Sequence, residues 1–248
     1  IRRVPASGLI ITNGQDDNIK TLLGRGIWSE QLTFAVTNAD GPRPSDHLTI
    51  DQTSRLVVLN RAPIGELHWQ LSGAHNLSNA LAAIAAARHV GVPPKQSIDY
   101  LADFSGVKRR MEIVKTSPKA VLYDDFAHHP TAIGSTLAGL RETVGPAPIY
   151  AVLEPRSHTM RLGIHEAQLV EACKTADQVF WLKPTNLAFD LDQAVTPSGH
   201  KVFEEPLALA AAVAQQLGLE DSSAHIVIMS NGGIDALKAA LLDQIHHA

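Results

Sequence analysis

The second half of the chain alternates short apolar runs with longer amphipathic segments. The apolar runs, which are typical of parallel strands buried on both faces, fall at 120–123, 149–153, 178–181 and 226–229. Helical segments are predicted at about 131–143, 163–175, 205–217 and 233–246. Strands that alternate with helices predict an α/β fold in which right-handed crossovers build an open parallel sheet.

The first half of the chain has a mixed pattern. Buried strands are predicted at 8–13 and 32–36, with a helix through residue 23 between them. Beyond a polar turn at 38–46, the segments 47–51, 55–59 and 65–71 alternate with turn residues and predict an antiparallel meander. Two helices follow, at 76–90 and about 94–103, and the alanine content of the first requires another element to pack close against it. Residues 104–112 form the predicted hinge between two domains, 1–109 and 110–248.

The composition limits the classes of protein to which the chain can belong. Its 248 residues are 45% apolar and 19% charged, which is ordinary for a globular protein. A formal net charge of −4 gives no indication of nucleic-acid or anionic-membrane binding, and no apolar run approaches the roughly 18 residues of a membrane span. The single cysteine, Cys173, excludes an internal disulfide framework and favours a reducing, cytoplasmic compartment. The start at Ile1, with neither Met nor an apolar signal segment, favours a fragment of a longer protein.

Three dense polar clusters lie at 73–79, 108–112 and 124–130. The first opens the alanine-rich helix, where unpaired N–H groups and the helix dipole favour a polar ligand. Asn76 and Asn79 are three residues apart, so they share a helix face, and their amides suit a purine edge. The alternative is that these amides cap a core helix. In the second cluster Arg110 suits phosphate oxygens, whereas Lys108 and Arg109 could form a solvated basic hinge.

Polar segments also follow the predicted strands of the second half, at 124–130, 154–161, 183–186 and 230–233. Ligands of open parallel sheets collect at the carboxyl ends of strands, so these segments form the expected edge of a binding site. Asp125, which lies in the first of these segments, could contribute to that binding site, or it could cap the helix after Pro130. The adjacent His128 and His129 come without the further ligands that a zinc site needs.

The order and spacing of these clusters resemble the Mur ligase family, the ATP-dependent amide-bond ligases of bacterial cell-wall synthesis. The family pattern is H-N-x-x-N before an alanine-rich helix, then G-x-x-x-R-x-E, then D-[YF]-A-H-x-P. The matching residues are His75, Asn76 and Asn79; Gly106, Arg110 and Glu112; and Asp125, Phe126, Ala127, His128 and Pro130. The resemblance implies the C-terminal part of a central ATPase domain at 1–109 and a complete Rossmann-like C-terminal domain at 110–248.

The resemblance also implies roles for the matched residues, with ATP and Mg²⁺ as cofactors. It assigns His75, Asn76 and Asn79 to the nucleotide. It assigns Asp125 to the ribose, Arg110 to the phosphates and His128 to a nucleotide or phosphate contact. Arg110 and His128 are the implied catalytic residues, because amide formation through an acyl phosphate needs positioned groups that stabilise negative charge. No G-x-x-x-x-G-K-[ST] loop is present, so that loop and the main magnesium ligands are expected upstream.

Residues 154–161 occupy the position at which the family binds the incoming amine. Arg156 and Arg161 are expected to hold a substrate carboxylate, and Ser157 and Thr159 to donate hydrogen bonds; the alternative is a solvent-exposed loop. The wording E-P-R-S-x-T-M-[KR]-L-G, with M-S-N-G-G at 229–233, resembles one branch of the family. That branch joins the tripeptide L-Ala-γ-D-Glu-meso-diaminopimelate to UDP-N-acetylmuramate in peptidoglycan recycling.

The expected partners are therefore UDP-N-acetylmuramate and the murein tripeptide, without nucleic acid or membrane. One alternative is the branch that adds L-alanine to UDP-N-acetylmuramate. Another is a non-catalytic nucleotide- or peptide-binding module. A dehydrogenase is disfavoured because no G-x-G-x-x-G follows a predicted strand.

Overall fold

The computed structural model describes residues 1, 3–38, 47–69, 71, 73–220 and 222–247. The chain forms two compact units, Ile1–Ser105 and Gly106–Ala248, which we call the first and the second unit. Most of the polar turn predicted at 38–46 lies outside the described residues. None of the helices in the described ranges combines the length and apolar character that crossing a membrane requires.

The first unit is a mixed sheet with helices packed against it. Its described elements are β1 (Leu9–Asn13), α1 (Asp17–Leu23), β2 (Glu30–Thr37), β3 (His47–Asp51), β4 (Leu56–Leu59), β5 (Ala62–Glu66), α2 (Ala74–His89) and α3 (Pro94–Ala102). The sheet order is β1-β2-β3-β4-β5. The first three strands are parallel, and β3, β4 and β5 form the predicted antiparallel meander.

The third strand of the meander was predicted in the wrong place, at 65–71. In the structure β5 begins at Ala62, directly after a two-residue turn at Asn60 and Arg61. Both turn residues have positive φ, 49° and 68°, which is the conformation that joins two twisted strands most tightly. The turn contains no glycine, so the sequence carried no strong hairpin signal there.

Helix α2 supplies most of the helical part of the first core. Leu77, Leu81 and Ile84 are fully buried and belong to one apolar cluster with Ile50 and Val57 of the sheet. Alanines on the same helix are buried too, which lets the helix backbone approach its neighbours closely. The prediction that another element packs close against this helix is confirmed.

The second unit is built around a six-stranded sheet. Its described elements are β6 (Glu112–Thr116), β7 (Ala120–Asp125), α4 (Pro130–Val144), β8 (Ile149–Leu153), α5 (His158–Arg161), α6 (Leu169–Ala172), β9 (Gln178–Leu182), α7 (Leu191–Val195), β10 (Lys201–Phe203), α8 (Pro206–Leu217), β11 (Ala224–Met229) and α9 (Asp235–His247). The sheet order is β10-β9-β8-β11-β7-β6, and every pair is parallel except the pair of β6 with β7.

Two apolar cores cover the two faces of this sheet. Tyr150 and Phe180 belong to one core, whereas Ala151 and Trp181 of the same two strands belong to the other. Alternate residues of each strand therefore enter opposite cores, which is why these strands are apolar throughout. The predicted α/β fold with a parallel sheet is confirmed.

The helix predicted at 163–175 is wrong. The short helix α5 ends before this segment, and within it the chain forms a 3₁₀ turn at Glu166–Gln168 and the short helix α6. Gly163 interrupts the region with a φ of 73°, and a Cβ there would lie 3.1 Å from the Phe189 ring. The edge strands β6 and β10 were not predicted, because they are only partly buried and so lack a continuous apolar run.

Candidate functional site

Helix α2 of the first unit begins with a glycine cap. Gly73, at φ 89° and ψ 144°, is the N-cap, and no side chain forms the cap hydrogen bond. Its carbonyl accepts from the N–H groups of Asn76, at 3.0 Å, and Leu77, at 3.3 Å. His75 and Asn76 are half-buried and Asn79 is exposed. The cap hydrogen bonds therefore come from the backbone of Gly73, and Asn76 and Asn79 lie in the first and second turns of the helix.

The segment that precedes β6 in the second unit presents Arg110 outwards. Arg109 and Met111 flank it with φ values of 58° and 52°, a conformation that is costly for L-residues and needs tertiary support. The N–H of Met111 donates to Asp125 Oδ2 at 2.9 Å, which provides part of that support. Among the described residues, the exposed Arg110 guanidinium has no hydrogen-bonded or ion-paired partner. It is a cation that remains available to a ligand.

The Phe126 ring brings the predicted catalytic residues together. Cζ of Arg110 lies 5.6 Å from the ring centroid, and Cζ of Arg109 lies 5.2 Å from it. The His128 ring meets the same ring edge-on, with the centroids 5.3 Å apart. Cations over an aromatic face are attracted by the ring quadrupole. The aromatic position of the motif thus serves as a platform, a role that the sequence did not reveal.

Asp125 braces the loop that follows β7. It is only 4% exposed, and its Oδ1 accepts from the N–H of Ala127 at 2.8 Å and from Thr136 Oγ1 at 3.4 Å. Its other oxygen accepts from Met111, as described above. The alternative that Asp125 caps helix α4 is wrong, because His129 is the N-cap of that helix. Asp125 instead joins the strand-end loop, the arginine segment and Thr136 in the second turn of α4. Its assignment to a ribose stays a prediction.

The two adjacent histidines have different roles. His128 Nδ1 donates to the carbonyl oxygen of Phe126 at 2.8 Å, which leaves Nε2 as the unprotonated nitrogen of the neutral ring. His129 is the N-cap of α4, since its Nδ1 accepts from the N–H of Thr131 at 3.2 Å. Burial lowers the pKa of His129, and the nearby rings of His165 and His128 lower it further. The described residues contain no group of three side chains arranged to hold a metal ion.

Arg109 is not the solvated hinge cation that was considered from the sequence. Its Nε donates to Asp124 Oδ1 at 3.3 Å, and Nη2 donates to the carbonyl oxygen of Ser230 at 2.6 Å. Asp124 is 3% exposed, and its second oxygen accepts from Lys238 Nζ at 2.9 Å. A buried carboxylate is thereby neutralised by two cations that lie far apart in the sequence.

The loop 154–161 contributes two arginines to one cleft of the second unit. The cleft has a volume of about 370 Å³, and its polar lining comprises Glu154, Arg156, Arg161, Lys183, Thr185, Asn186 and Glu204. The structure therefore brings Arg156 and Arg161 together, as predicted from the loop. Ser157 and Thr159 do not line this cleft. The Ser157 hydroxyl instead caps α5 by accepting from the N–H of Met160 at 3.4 Å.

Lys183 was not named as a site residue, although the segment 183–186 had been marked as a strand end. Its Nζ donates to Asp192 Oδ2 at 2.5 Å, and this hydrogen bond raises the pKa of Lys183. The cleft thus holds three cations, with Glu154 and Glu204 as anions. A lining of both signs suits a ligand that carries carboxylate and ammonium groups.

Arg156 lies across the glycine turn that follows β11. Its Nη1 donates to the carbonyl oxygen of Gly233 at 3.1 Å. A Cβ on Gly232 would lie 2.2 Å from Arg156 Cδ, so any larger residue at 232 would displace the arginine from its present position. The buried Ser230 donates from Oγ to Glu154 Oε2 at 2.9 Å. The segments 154–161 and 230–233 therefore form one connected wall.

Comparison with known proteins adds a family to this geometry. Residues 109–232 match the family model described as "Mur ligase, glutamate ligase domain". The chain is 40% identical over 248 residues to the UDP-N-acetylmuramate–L-alanyl-γ-D-glutamyl-meso-2,6-diaminoheptandioate ligase of Escherichia coli, covering 98% of this chain and 52% of that protein. It is 36% identical to the ligase of the same name from Haemophilus influenzae, covering 99% of this chain and 53% of that one.

A solved structure gives the same result at the level of the fold. The chain is similar to the crystal structure of a murein peptide ligase from Psychrobacter arcticus, with a TM-score of 0.69 and 29% identity. The match covers 100% of this chain and 53% of that one. The chain spans about half the length of the curated relatives it matches.

Proposed function

Since the chain belongs to the Mur ligase family, we propose that it supplies nucleotide-binding and amine-binding groups of an ATP-dependent amide-bond ligase. For the whole protein we propose the ligation of L-Ala-γ-D-Glu-meso-diaminopimelate to UDP-N-acetylmuramate. The names of the two curated relatives support this choice of substrates, because the alignments with those two proteins cover nearly the whole of this chain. Ligation of L-alanine is the alternative that the experiments must separate.

One observation carries the proposal: an exposed arginine lies on an aromatic ring at the carboxyl edge of a parallel sheet, and its guanidinium has no hydrogen bond or ion pair in the part of the chain that the structure describes. Arg110 is that residue, and the ring is Phe126. A guanidinium is always charged and grips phosphate oxygens in a fork. Because this guanidinium lies on the ring and forms no ion pair within the described residues, its charge remains for an anionic ligand.

We propose nucleotide-binding roles for residues of each unit, taken separately. In the first unit, Asn76 and Asn79 offer amide donors and acceptors, and His75 lies beside them at the start of α2. In the second unit, Arg110 offers charge to phosphates, and His128 offers Nε2 while its Nδ1 is bonded to the backbone.

The chemistry of these donors fits ATP, which supplies the phosphoryl group that activates the substrate carboxylate. The protein residues proposed here bind and orient. Arg110 stabilises negative charge in a fixed position, which costs no reorganisation at the moment of reaction. Asp125 keeps the loop that carries Phe126 and His128 in place through its bonds to backbone N–H groups.

Magnesium is not assigned to residues of this chain. Within the described ranges no three His, Cys, Asp or Glu side chains are grouped to hold a metal ion, and Asp124 and Asp125 are already bonded to protein donors. Hard cations prefer several oxygen ligands and retained water. We therefore propose that the main ligands of Mg²⁺ lie outside the described residues.

For the amine substrate we propose the cleft beside the loop 154–161. Arg156 and Arg161 would pair with peptide carboxylates, and the anionic Glu204 lies in the same cleft. A tripeptide with several carboxylates uses this lining better than alanine, which has one. The Arg156 side chain is 47% exposed and lies 3.5 Å from Glu154, so a peptide that covers the cleft must supply carboxylates to both arginines, and a ligand with one carboxylate leaves part of this charge unmatched.

The test of the proposed function compares Arg110→Ala with Lys108→Ala in the intact protein that carries this chain. The two residues are exposed cations two positions apart, but only Arg110 lies on Phe126. With ATP and both substrates at saturation, Arg110→Ala should lower kcat by roughly 100-fold or more. Lys108→Ala should change kcat by less than about twofold.

Equal losses in the two variants would mean that general positive charge, rather than a positioned arginine, matters here. Near-normal turnover of Arg110→Ala would refute the role. As a companion measurement, Asn79→Ala should raise the KM for ATP while leaving kcat nearly unchanged, since a base contact is made equally in ground and transition states.

A further inference from the structure

Arg109 is hydrogen-bonded through both its guanidinium and its backbone. It shares the Phe126 ring with Arg110, whose guanidinium has no hydrogen bond or ion pair within the described ranges. Its guanidinium donates to Asp124 Oδ1 at 3.3 Å and to the carbonyl oxygen of Ser230 at 2.6 Å. Its own carbonyl accepts from the N–H of Phe126 at 2.8 Å. Arg109 therefore connects the segment before β6 with the ends of β7 and β11.

Apart from its contacts with Phe126 and the adjacent backbone, few interactions fix the position of Arg110. Its backbone N–H donates to the carbonyl oxygen of Val107 at 3.1 Å, while its guanidinium has no bonded partner among the described residues. The residues on either side have positive φ, 58° for Arg109 and 52° for Met111, and revert to ordinary conformations unless bonds hold them. The position of the Arg110 side chain thus depends on the backbone that carries it and on the ring beneath it.

We infer that Arg109 is a positioning residue that acts through Arg110. It clamps the left-handed backbone and holds the Phe126 ring, and in this way it fixes the guanidinium that the proposed function assigns to phosphate. The inference rests on that proposed function only for its effect on turnover; the clamp itself is a property of the chain. A lysine at 109 would keep the charge beside Asp124, but it lacks the fork that reaches Ser230 as well.

Lys238 offers a matched control. It neutralises the same buried carboxylate from helix α9, and its side chain is 27% exposed against 30% for Arg109. Unlike Arg109, it is not among the cations that lie over Phe126 in the described part of the chain. Lys238→Gln therefore removes a comparable charge from Asp124 without releasing the ring or the arginine segment.

The experiment is a double-mutant cycle in the intact protein that carries this chain. At saturating ATP, Arg109→Lys should lower kcat by about tenfold to 100-fold, because small displacements of a positioned group are costly. In the Arg110→Ala background the same substitution should change kcat by less than about twofold, since its effect passes through Arg110. Lys238→Gln should lower the midpoint of thermal unfolding while keeping kcat within about twofold of the wild type.

A second readout needs neither ATP nor activity. In ¹⁵N NMR of the arginine side chains, the Nε–H of Arg110 should be ordered in the wild type and in Lys238→Gln, and mobile in Arg109→Lys. Losses that multiply in the cycle, an equal loss of kcat in Lys238→Gln, or unchanged order of Arg110 would each overturn the inference. A wild-type protein without ATP-dependent ligation, but with the expected NMR result, refutes the proposed function and leaves the positioning role intact.

Discussion

Replacing Asp125 with asparagine tests whether this carboxylate is primarily a brace. The two oxygens accept from backbone N–H groups on different segments, Ala127 on Oδ1 and Met111 on Oδ2. Asparagine has one carbonyl oxygen, so its NH₂ group must face one of these donors. The hydroxyl of Thr136, whose Oγ1 lies 3.4 Å from Oδ1, is too distant for a strong hydrogen bond that would offset this loss.

The magnitude follows from one buried donor left without an acceptor, which costs about 1–3 kcal/mol. For a chain of 248 residues, at about 2–4 °C per kcal/mol, that corresponds to a decrease in the unfolding midpoint of roughly 2–12 °C. The assay is thermal unfolding of the chain without nucleotide, followed by circular dichroism. Asp192→Asn is the control, because Asp192 is half-exposed and its pair with Lys183 should contribute at most about 1 kcal/mol.

The opposite pattern would refute this reasoning. The reasoning is wrong if the unfolding midpoint of Asp125→Asn lies within about 1 °C of the wild-type midpoint and the substitution raises only the KM for ATP. In that case the carboxylate acts as a ligand of the ribose and not as a structural brace. A loss no larger than that of Asp192→Asn would have the same meaning.

Three further predictions concern other parts of the second unit. Gly232→Ala should displace Arg156, since the new Cβ would lie 2.2 Å from its Cδ, and should raise the KM for the peptide by about tenfold or more; Gly233→Ala, with open space around it, should not. The cap that His129 forms on α4 requires a neutral imidazole ring. Because the pKa of His129 is lowered in the folded chain, this stabilisation is present above about pH 6.5 and is lost as the pH falls. The unfolding midpoint of His129→Asn should therefore change less between pH 7 and pH 5 than the midpoint of the wild type. Burial raises the pKa of Cys173 to about 12, so a thiol reagent at pH 8 should label it only when the chain unfolds, and rapid labelling of the native chain would show that it is accessible.

The sheet of the second unit was predictable because strands that are buried on both faces appear in the sequence as continuous apolar runs. Each of β7, β8, β9 and β11 is an apolar run, and their parallel pairing brings the polar segments after them to one edge. The edge strands β6 and β10 lack a continuous apolar run, since each is partly exposed to solvent. The hairpin turn at Asn60 and Arg61 escaped prediction because Arg61 occupies, at a positive φ, the second turn position that glycine usually fills.

The candidate site was predictable only where a motif names its residues. Arg110 and His128 come from such motifs, and the structure brings both to the Phe126 ring. The bonds of Arg109 could not be predicted, because Asp124 and Ser230 lie 15 and 121 positions away. Tertiary partners at such separations leave no local pattern for sequence reasoning to detect.

The most direct test of the central claim is a ligation assay with the intact protein that carries this chain. UDP-N-acetylmuramate and ATP are supplied with either the tripeptide or L-alanine, and phosphate release and product mass are measured. The account predicts ATP-dependent formation of the UDP-N-acetylmuramyl tripeptide, with kcat/KM for the tripeptide exceeding that for L-alanine by roughly 100-fold or more. Equal use of L-alanine, or no ATP-dependent product with either amine, would contradict it.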